Sequence, residues 1–220
     1  MSTFSRLYKL QQMFADVEKP YTDIEVVLDI GAHKGGFTKI INTLWPKAKV
    51  WQIEADERMV QYLNNPIISL LGNANKEVNF YTLPEDKDTS GSSIFKERSV
   101  FYKDALAVKK TMTTLADLVK EHNFDGNWAE NGLVKIDTQG SELMILEGAR
   151  SFIKFYKPRF FLLESSFTDY NENAPKIANT IKAMDKINYH PIDVFDPVYS
   201  VSDGHLIQMD ILFERNKIAT

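Results

Sequence analysis

The chain predicts an α/β fold: an open, mostly parallel seven-stranded sheet with an antiparallel strand near the C-terminus and helices on both faces. Three observations predict it. Short runs rich in Val, Ile, Leu and Phe alternate with segments of helical spacing, the pattern of a parallel sheet covered on both sides. The first run, Val26 to Ile30, stops at a glycine-containing turn and restarts as a helix. The last two runs are separated only by the turn-rich Tyr199 to Gly204, which suits an antiparallel pair. With 220 residues and 44% hydrophobic content, one domain spanning the whole chain can bury a full core.

Met1 to Pro20 reads as an amphipathic lead-in helix, since Phe4, Leu7, Leu10, Met13, Phe14 and Val17 follow helical spacing. Glu25 to Ile30 is the first strand, Gly36 to Leu44 a helix ending before Pro46, Lys49 to Ile53 the second strand, and Asp56 to Leu63 a helix. The apolar run Ile67 to Leu71 predicts the third strand, ending at Gly72 and Asn73, with Glu77 to Leu83 hairpinned beside it. Pro84 to Lys96 is rich in Asp, Ser, Thr and Gly; the irregular stretch extends to Ala105 and reads as a surface loop or a substrate lid. A strand follows from Leu106 to Met112, then a helix to His122 opened by Thr114 and Asp117 in a capping-box arrangement. Gly132 to Ile136 is the fourth core strand, Ser141 to Phe155 a helix, Phe160 to Leu163 the fifth strand, and Asn171 to Lys186 a helix interrupted near its start by Pro175. Pro191 to Phe195 and Leu206 to Phe213 close the sheet.

Composition narrows the function classes. Lys and Arg number 26 against 30 Asp and Glu, a net of −4, and no long basic run appears, so nucleic acid is not expected as a partner. The N-terminus has no continuous apolar segment of signal or spanning length, so no membrane partner is expected either. The chain has no cysteine, which removes disulfides and thiolate chemistry and fits a cytoplasmic protein.

Open α/β sheets bind ligands beyond the carboxyl ends of their strands. The residues standing there are Asp29, Gly31, Ala32 and His33, then Glu54 with Ala55, Gly72 with Asn73, Asp137, and Glu164. Gly31 and Gly35, separated by three residues and followed by Phe37 and Thr38, lack the G-x-G-x-x-G spacing of a pyrophosphate turn. That turn favours S-adenosylmethionine over a nicotinamide dinucleotide: the missing Cβ atoms admit a ligand against the backbone, and the helix opening at Gly36 aims free N–H groups at a carboxylate. Glu54 is placed to accept both hydroxyls of a ribose. Asp137 is the candidate base for a hydroxyl proton, against the alternative that it caps the following helix. Glu164 is a second candidate, or an ion-pair partner of Arg159. His33 is a third, or a local hydrogen-bonder. Glu142 falls in a first helical turn, where the helix dipole already favours a negative charge. Asp137, Glu164 and Asp210 are hard oxygen donors, but their spacing announces no metal site, and none is expected.

Several blocks resemble, in order, those of FkbM-type methyltransferases. They are Val27 to Thr38, Glu54 to Asp56, Gly91 to Ser93, Thr114 to Leu118, Val134 to Ala149 and Gln208 to Phe213. The most telling is Lys135 to Ala149, similar to the family run Lys-Ile-Asp-x-Glu-Gly-x-Glu-x-x-x-Leu-x-Gly-Ala. The resemblance implies a class I, Rossmann-like fold, S-adenosylmethionine as donor, and O-methylation of a hydroxyl on a sugar or other small metabolite. It carries the cofactor turn onto Asp29 to Phe37, the ribose acid onto Glu54 and the fourth-strand acid onto Asp137. Two residues depart from the pattern: Gln139 stands where the family usually has Glu, and His33 where a Gly-Ala-Asn turn has Asn.

Overall fold

The computed structural model describes residues 24–84, 87, 89–201 and 203–216. The helix expected at Met1 to Pro20 lies outside them. In chain order the elements are β1 (Val26–Ile30), α1 (Gly36–Leu44), β2 (Lys49–Glu54), a 3₁₀ turn (Glu57–Tyr62), β3 (Ile67–Ile68), β4 (Leu70–Gly72), β5 (Lys76–Thr82), a second 3₁₀ turn (Val100–Tyr102) and β6 (Leu106–Thr114). Then come α2 (Leu115–Glu121), α3 (Trp128–Asn131), β7 (Gly132–Ile136), α4 (Glu142–Gly148), α5 (Arg150–Tyr156), β8 (Phe160–Ser166), α6 (Ile177–Lys186), β9 (Tyr189–Tyr199) and β10 (Leu206–Arg215).

The main sheet has seven strands, as expected, and their order is β3-β2-β1-β7-β8-β10-β9. Strands β3, β2, β1, β7 and β8 run parallel, and β10 is antiparallel to both its neighbours. Strand order reverses between β1 and β7, so the crevice of the sheet opens there. Every residue of β1 is buried, which its near-continuous apolar sequence requires of a central parallel strand. Alternation sends Val26, Leu28 and Ile30 to one core layer, with Phe124, Trp128, Phe152 and Met184, and Val27 to the other, with Phe37, Ile41 and Leu44 of α1. Asp29 shares the side of Val27, and that places its carboxylate against α1. Each fully buried large side chain in these layers contributes roughly 1.5–3 kcal/mol.

Tertiary context corrected six local expectations. The run Ile67 to Leu71 is not one strand: β3 pairs with β2, whereas β4 pairs with β6 in a separate three-stranded sheet. The change happens at Ser69, whose N–H bonds the Glu54 carbonyl at 2.8 Å. The strand expected to hairpin on that run instead pairs antiparallel with β6, which lies between β4 and β5. The helix expected at Asp56 to Leu63 is a 3₁₀ turn capped by Asp56, whose side chain accepts the Arg58 N–H. The helix expected from Ser141 to Phe155 breaks at Ala149 after Gly148, which packs so close that a Cβ there would meet the Gly72 carbonyl oxygen at 2.0 Å. The helix expected from Asn171 starts only at Ile177, past Pro175, because Asn171 is buried in a bridge to Glu97. The pairing of β8 with β10 carries β8 on to Ser166, so Glu164 lies within the strand and opposite Asp210. No helix among the described residues is long and apolar enough to cross a membrane.

Candidate active site

The carboxyl ends of β1, β2 and β7 open into a cleft with about 580 Å³ of empty space, part of it continuous with solvent. Gly31, His33, Glu54, Ala55, Asp137 and Gln139 stand on its wall. The turn after β1 is shaped by Gly31, at φ +77°, where an added Cβ would lie 1.9 Å from the Asp137 carbonyl oxygen. Only glycine satisfies both the left-handed backbone and that approach. The N–H groups of Gly31 and Ala32 bond the Ile53 carbonyl at 2.9 and 3.2 Å, locking the turn to the end of β2. Gly35, also left-handed, precedes α1.

Glu54 is 8% exposed and accepts the backbone N–H of His33 on Oε2 at 2.7 Å and that of Asp56 on Oε1 at 2.8 Å. Burial pushes its carboxyl above the usual range, and the N–H groups of Asp56 and His33 oppose the shift. A carboxylate has about four acceptor positions, so these N–H groups leave part of its capacity free. Asp29 does not reach the wall. Its Oδ2 accepts the Thr38 hydroxyl at 2.7 Å, and the Thr38 oxygen in turn accepts the Gln52 amide at 3.1 Å, tying β1, α1 and β2 together. Burial raises the Asp29 carboxyl, with Lys135 and Thr38 pulling it back.

Beneath the turn lies Lys135, whose ammonium is 2.9 Å from Asp137 and 3.9 Å from Asp29 and sits over the Phe37 ring at 5.4 Å. Burial alone would lower its pKa, but Asp137, Asp29 and Asp210 together hold it above the ordinary lysine value. Asp137 follows β7 with its side chain 33% exposed. It does not cap α4. The N-terminus of α4 has no side-chain cap; Glu142 instead holds the turn before it, its Oε1 accepting the N–H groups of Thr138 and Gly140 at 2.9 and 3.1 Å. Gln139, forced to φ +57°, donates its amide to both oxygens of Glu164 at 2.9 and 2.8 Å and approaches Asp137 Oδ1 at 3.3 Å. Gln208 donates to the same Glu164 from β10 at 2.6 Å. Burial, then the charges of Asp137, Glu142 and Asp210, drives the Glu164 carboxyl well above the usual range.

The Methyltransferase FkbM domain model matches residues 29–191, well over half of the chain. The chain belongs to the FkbM methyltransferase family. The family's methyl donor is S-adenosylmethionine, and the 3-2-1-4-5-7-6 order obtained by renumbering the main-sheet strands alone is that of its Rossmann-like class I fold. No curated protein matches it. Among solved structures, an FkbM methyltransferase from Methylobacillus flagellatus KT is 17% identical at a TM-score of 0.49, over 91% of this chain and 50% of that one. This chain thus spans about half the length of that relative. Magnesium protoporphyrin IX methyltransferase from Synechocystis, solved with bound S-adenosylmethionine, is 12% identical at a TM-score of 0.47, over 97% of this chain and 79% of that one.

In this FkbM domain not every strand-end residue reaches the cleft. Gly72 is a packing glycine whose added Cβ would lie 2.1 Å from the Met112 sulfur, and Asn73 points away to Glu147 at 3.0 Å. Phe37 is buried in the core beside Ile41. Glu164 stands behind Gln139, and Arg159 pairs with Glu214 at 2.8 Å rather than with Glu164.

The cleft gains residues that strand-end logic misses. Ser69 and Leu70 enter because the third run changes sheet, and Thr89, Ser90, Ser92 and Ile94 enter because the irregular segment folds across the opening. Ser93 anchors that segment: its backbone pairs with Tyr81, and its buried hydroxyl reaches the carbonyls of Thr138 and Gln139 at 3.1 and 2.9 Å. The sequence signal was the hydroxyl-rich composition around Gly91, which carries no information about where the loop lands.

Proposed function

We propose that the chain transfers the methyl group of S-adenosylmethionine to a hydroxyl oxygen of a small metabolite, a sugar or similar polyol. The observation carrying this reading is Asp137, a carboxylate on the cleft wall, part-exposed, with a buried ammonium 2.9 Å away. The cofactor supplies an electrophilic methyl on a sulfonium.

The site's residues suit that cofactor. Glu54 has acceptor capacity left for ribose hydroxyls. An added Cβ on Gly36 would meet nothing within 4 Å, leaving room beside the first turn of α1, whose N–H groups suit a carboxylate. Leu70, Leu71, Phe80 and Ile94 give an apolar wall for a purine. A bound cofactor would supply the methyl group and leave as a neutral thioether, and Asp137 would take the acceptor's hydroxyl proton. Ser69, Thr89, Ser90 and Ser92 supply hydroxyls that can hold a polyhydroxylated acceptor. Positioning and exclusion of water supply much of the acceleration.

The test is a screen of glycosides and polyols with labelled methyl donor. A product methylated on oxygen is expected, with Asp137→Asn slowing turnover by about 10²–10⁴-fold while S-adenosylhomocysteine affinity changes little. A product methylated on nitrogen or carbon, or full turnover by Asp137→Asn, would sink the proposal.

A further inference from the structure

At the opposite end of the sheet from the cleft lies a second groove, with about 910 Å³ of empty space, between the end of α5, the turn before β9 and the end of β10. Its floor is apolar, made largely by Ile153 and Ile187, and its rim is Arg150, Lys154, Lys157 and Arg215. None of its lining residues carries a carboxylate, on a chain whose net charge is −4. Arg150, Lys154 and Lys157 follow i, i+4, i+7 spacing, so they line one side of α5 and its exit. Among the described residues Lys154 and Lys157 make no ion pair, a state shared by Lys39, Lys47 and Lys182, so it is their clustering with Arg150 and Arg215 at one groove that sets them apart. Arg150 has only a 3.9 Å approach to Glu147. Phe155, next to Lys154 in the chain but outside the groove's lining, stands 85% exposed, while its neighbours Phe152 and Ile153 are buried.

We infer that this end of the molecule is a docking surface for an anionic lipid membrane. The argument is charge complementarity combined with apolar surface. Unpaired lysine ammoniums attract lipid phosphates, lysine stems can cover apolar surface, and the exposed Phe155 is a large side chain able to enter the headgroup boundary. A free phosphate would have no use for the floor or for Phe155. A nucleic acid would meet a short patch on an otherwise acidic surface. Docking here leaves the cleft facing water, because β8 separates the two ends by roughly 20 Å.

The full chain, mixed with phosphatidylcholine vesicles with and without phosphatidylglycerol, is expected to sediment only with the anionic ones and to be released as salt is raised. Lys154→Glu/Lys157→Glu is expected to weaken partition by about 25-fold or more, from roughly fivefold per cation near an anionic surface. Phe155→Ala is expected to weaken it several-fold. S-adenosylhomocysteine binding and circular dichroism should be unchanged in each variant, which separates lost docking from lost fold. Absence of sedimentation with anionic vesicles, or undiminished partition of either variant, overturns the inference. So does calorimetric binding of inorganic phosphate that displaces the chain from vesicles, since the groove would then be a soluble-phosphate site.

Discussion

The side-chain amide of Gln139 spans both carboxylate oxygens of Glu164, at 2.9 and 2.8 Å, directly behind the cleft wall. Gln139 and Gln208 donate to this carboxylate, while burial with Asp137, Glu142 and Asp210 nearby presses it toward its neutral form. A Glu at position 139, usual in the family, would here set two acids face to face. Gln139→Glu is therefore expected to lower stability by about 2–3 kcal/mol near neutral pH. The loss should shrink toward pH 5 as the pair takes up a proton. The reciprocal change Gln139→Glu/Glu164→Gln restores one amide and one acid and should recover most of the loss in denaturant melts. Non-recovery would mean that the pairing is not what matters.

Asp210 faces Glu164 across β8 and β10, and its carboxyl is pushed up to about 7 by burial and by Asp137, with Lys135 pulling the other way. A carboxyl whose folded pKa lies above its unfolded value binds more protons in the native state, so stability falls as pH rises between about 4 and 7. Asp210→Asn removes that penalty. Its melting temperature should exceed the parent's by roughly 3–6 °C at pH 8 and match it near pH 4. Equal melting temperatures at both pH values would show that Asp210 does not titrate in this way.

Glu54 holds the N–H groups of His33 and Asp56 as well as facing the cleft. Glu54→Ala should weaken S-adenosylhomocysteine binding by about 10- to 100-fold, the range for hydrogen bonds to a charged group. It should also lower the melting temperature of the free protein, because two turn N–H groups lose their acceptor. Calorimetry and a melt on the same sample separate the effects; unchanged affinity would remove Glu54 from the cofactor site.

Ser93 joins the segment crossing the cleft to the loop carrying Asp137 and Gln139. Ser93→Ala should cost about 1 kcal/mol and act locally, speeding hydrogen exchange around residues 89–94 several-fold with little change in global melting. Uniform acceleration across the chain would instead mark Ser93 as a residue of the global core.

The sheet was legible in the sequence because central parallel strands leave a local trace: each is a short apolar run, and Val26 to Ile30 or Gly132 to Ile136 could have gone nowhere but the core. Glycine was legible for the same reason, since the left-handed turn at Gly31 is a property of one residue. What the sequence could not carry was partnership. Ile67 to Leu71 is uniformly apolar, and nothing in it says that the chain changes sheets at Ser69. Asp137 and Glu164 stood out as acids at the ends of strands, yet only the packing of β7, β8 and β10 turned one toward the cleft and put the other behind Gln139. The cations of Arg150, Lys157 and Arg215 likewise meet only where helix, turn and last strand converge. Periodicity reports whether a residue faces inward; which distant residue it meets there depends on strand order and register, set by the simultaneous burial of all the runs.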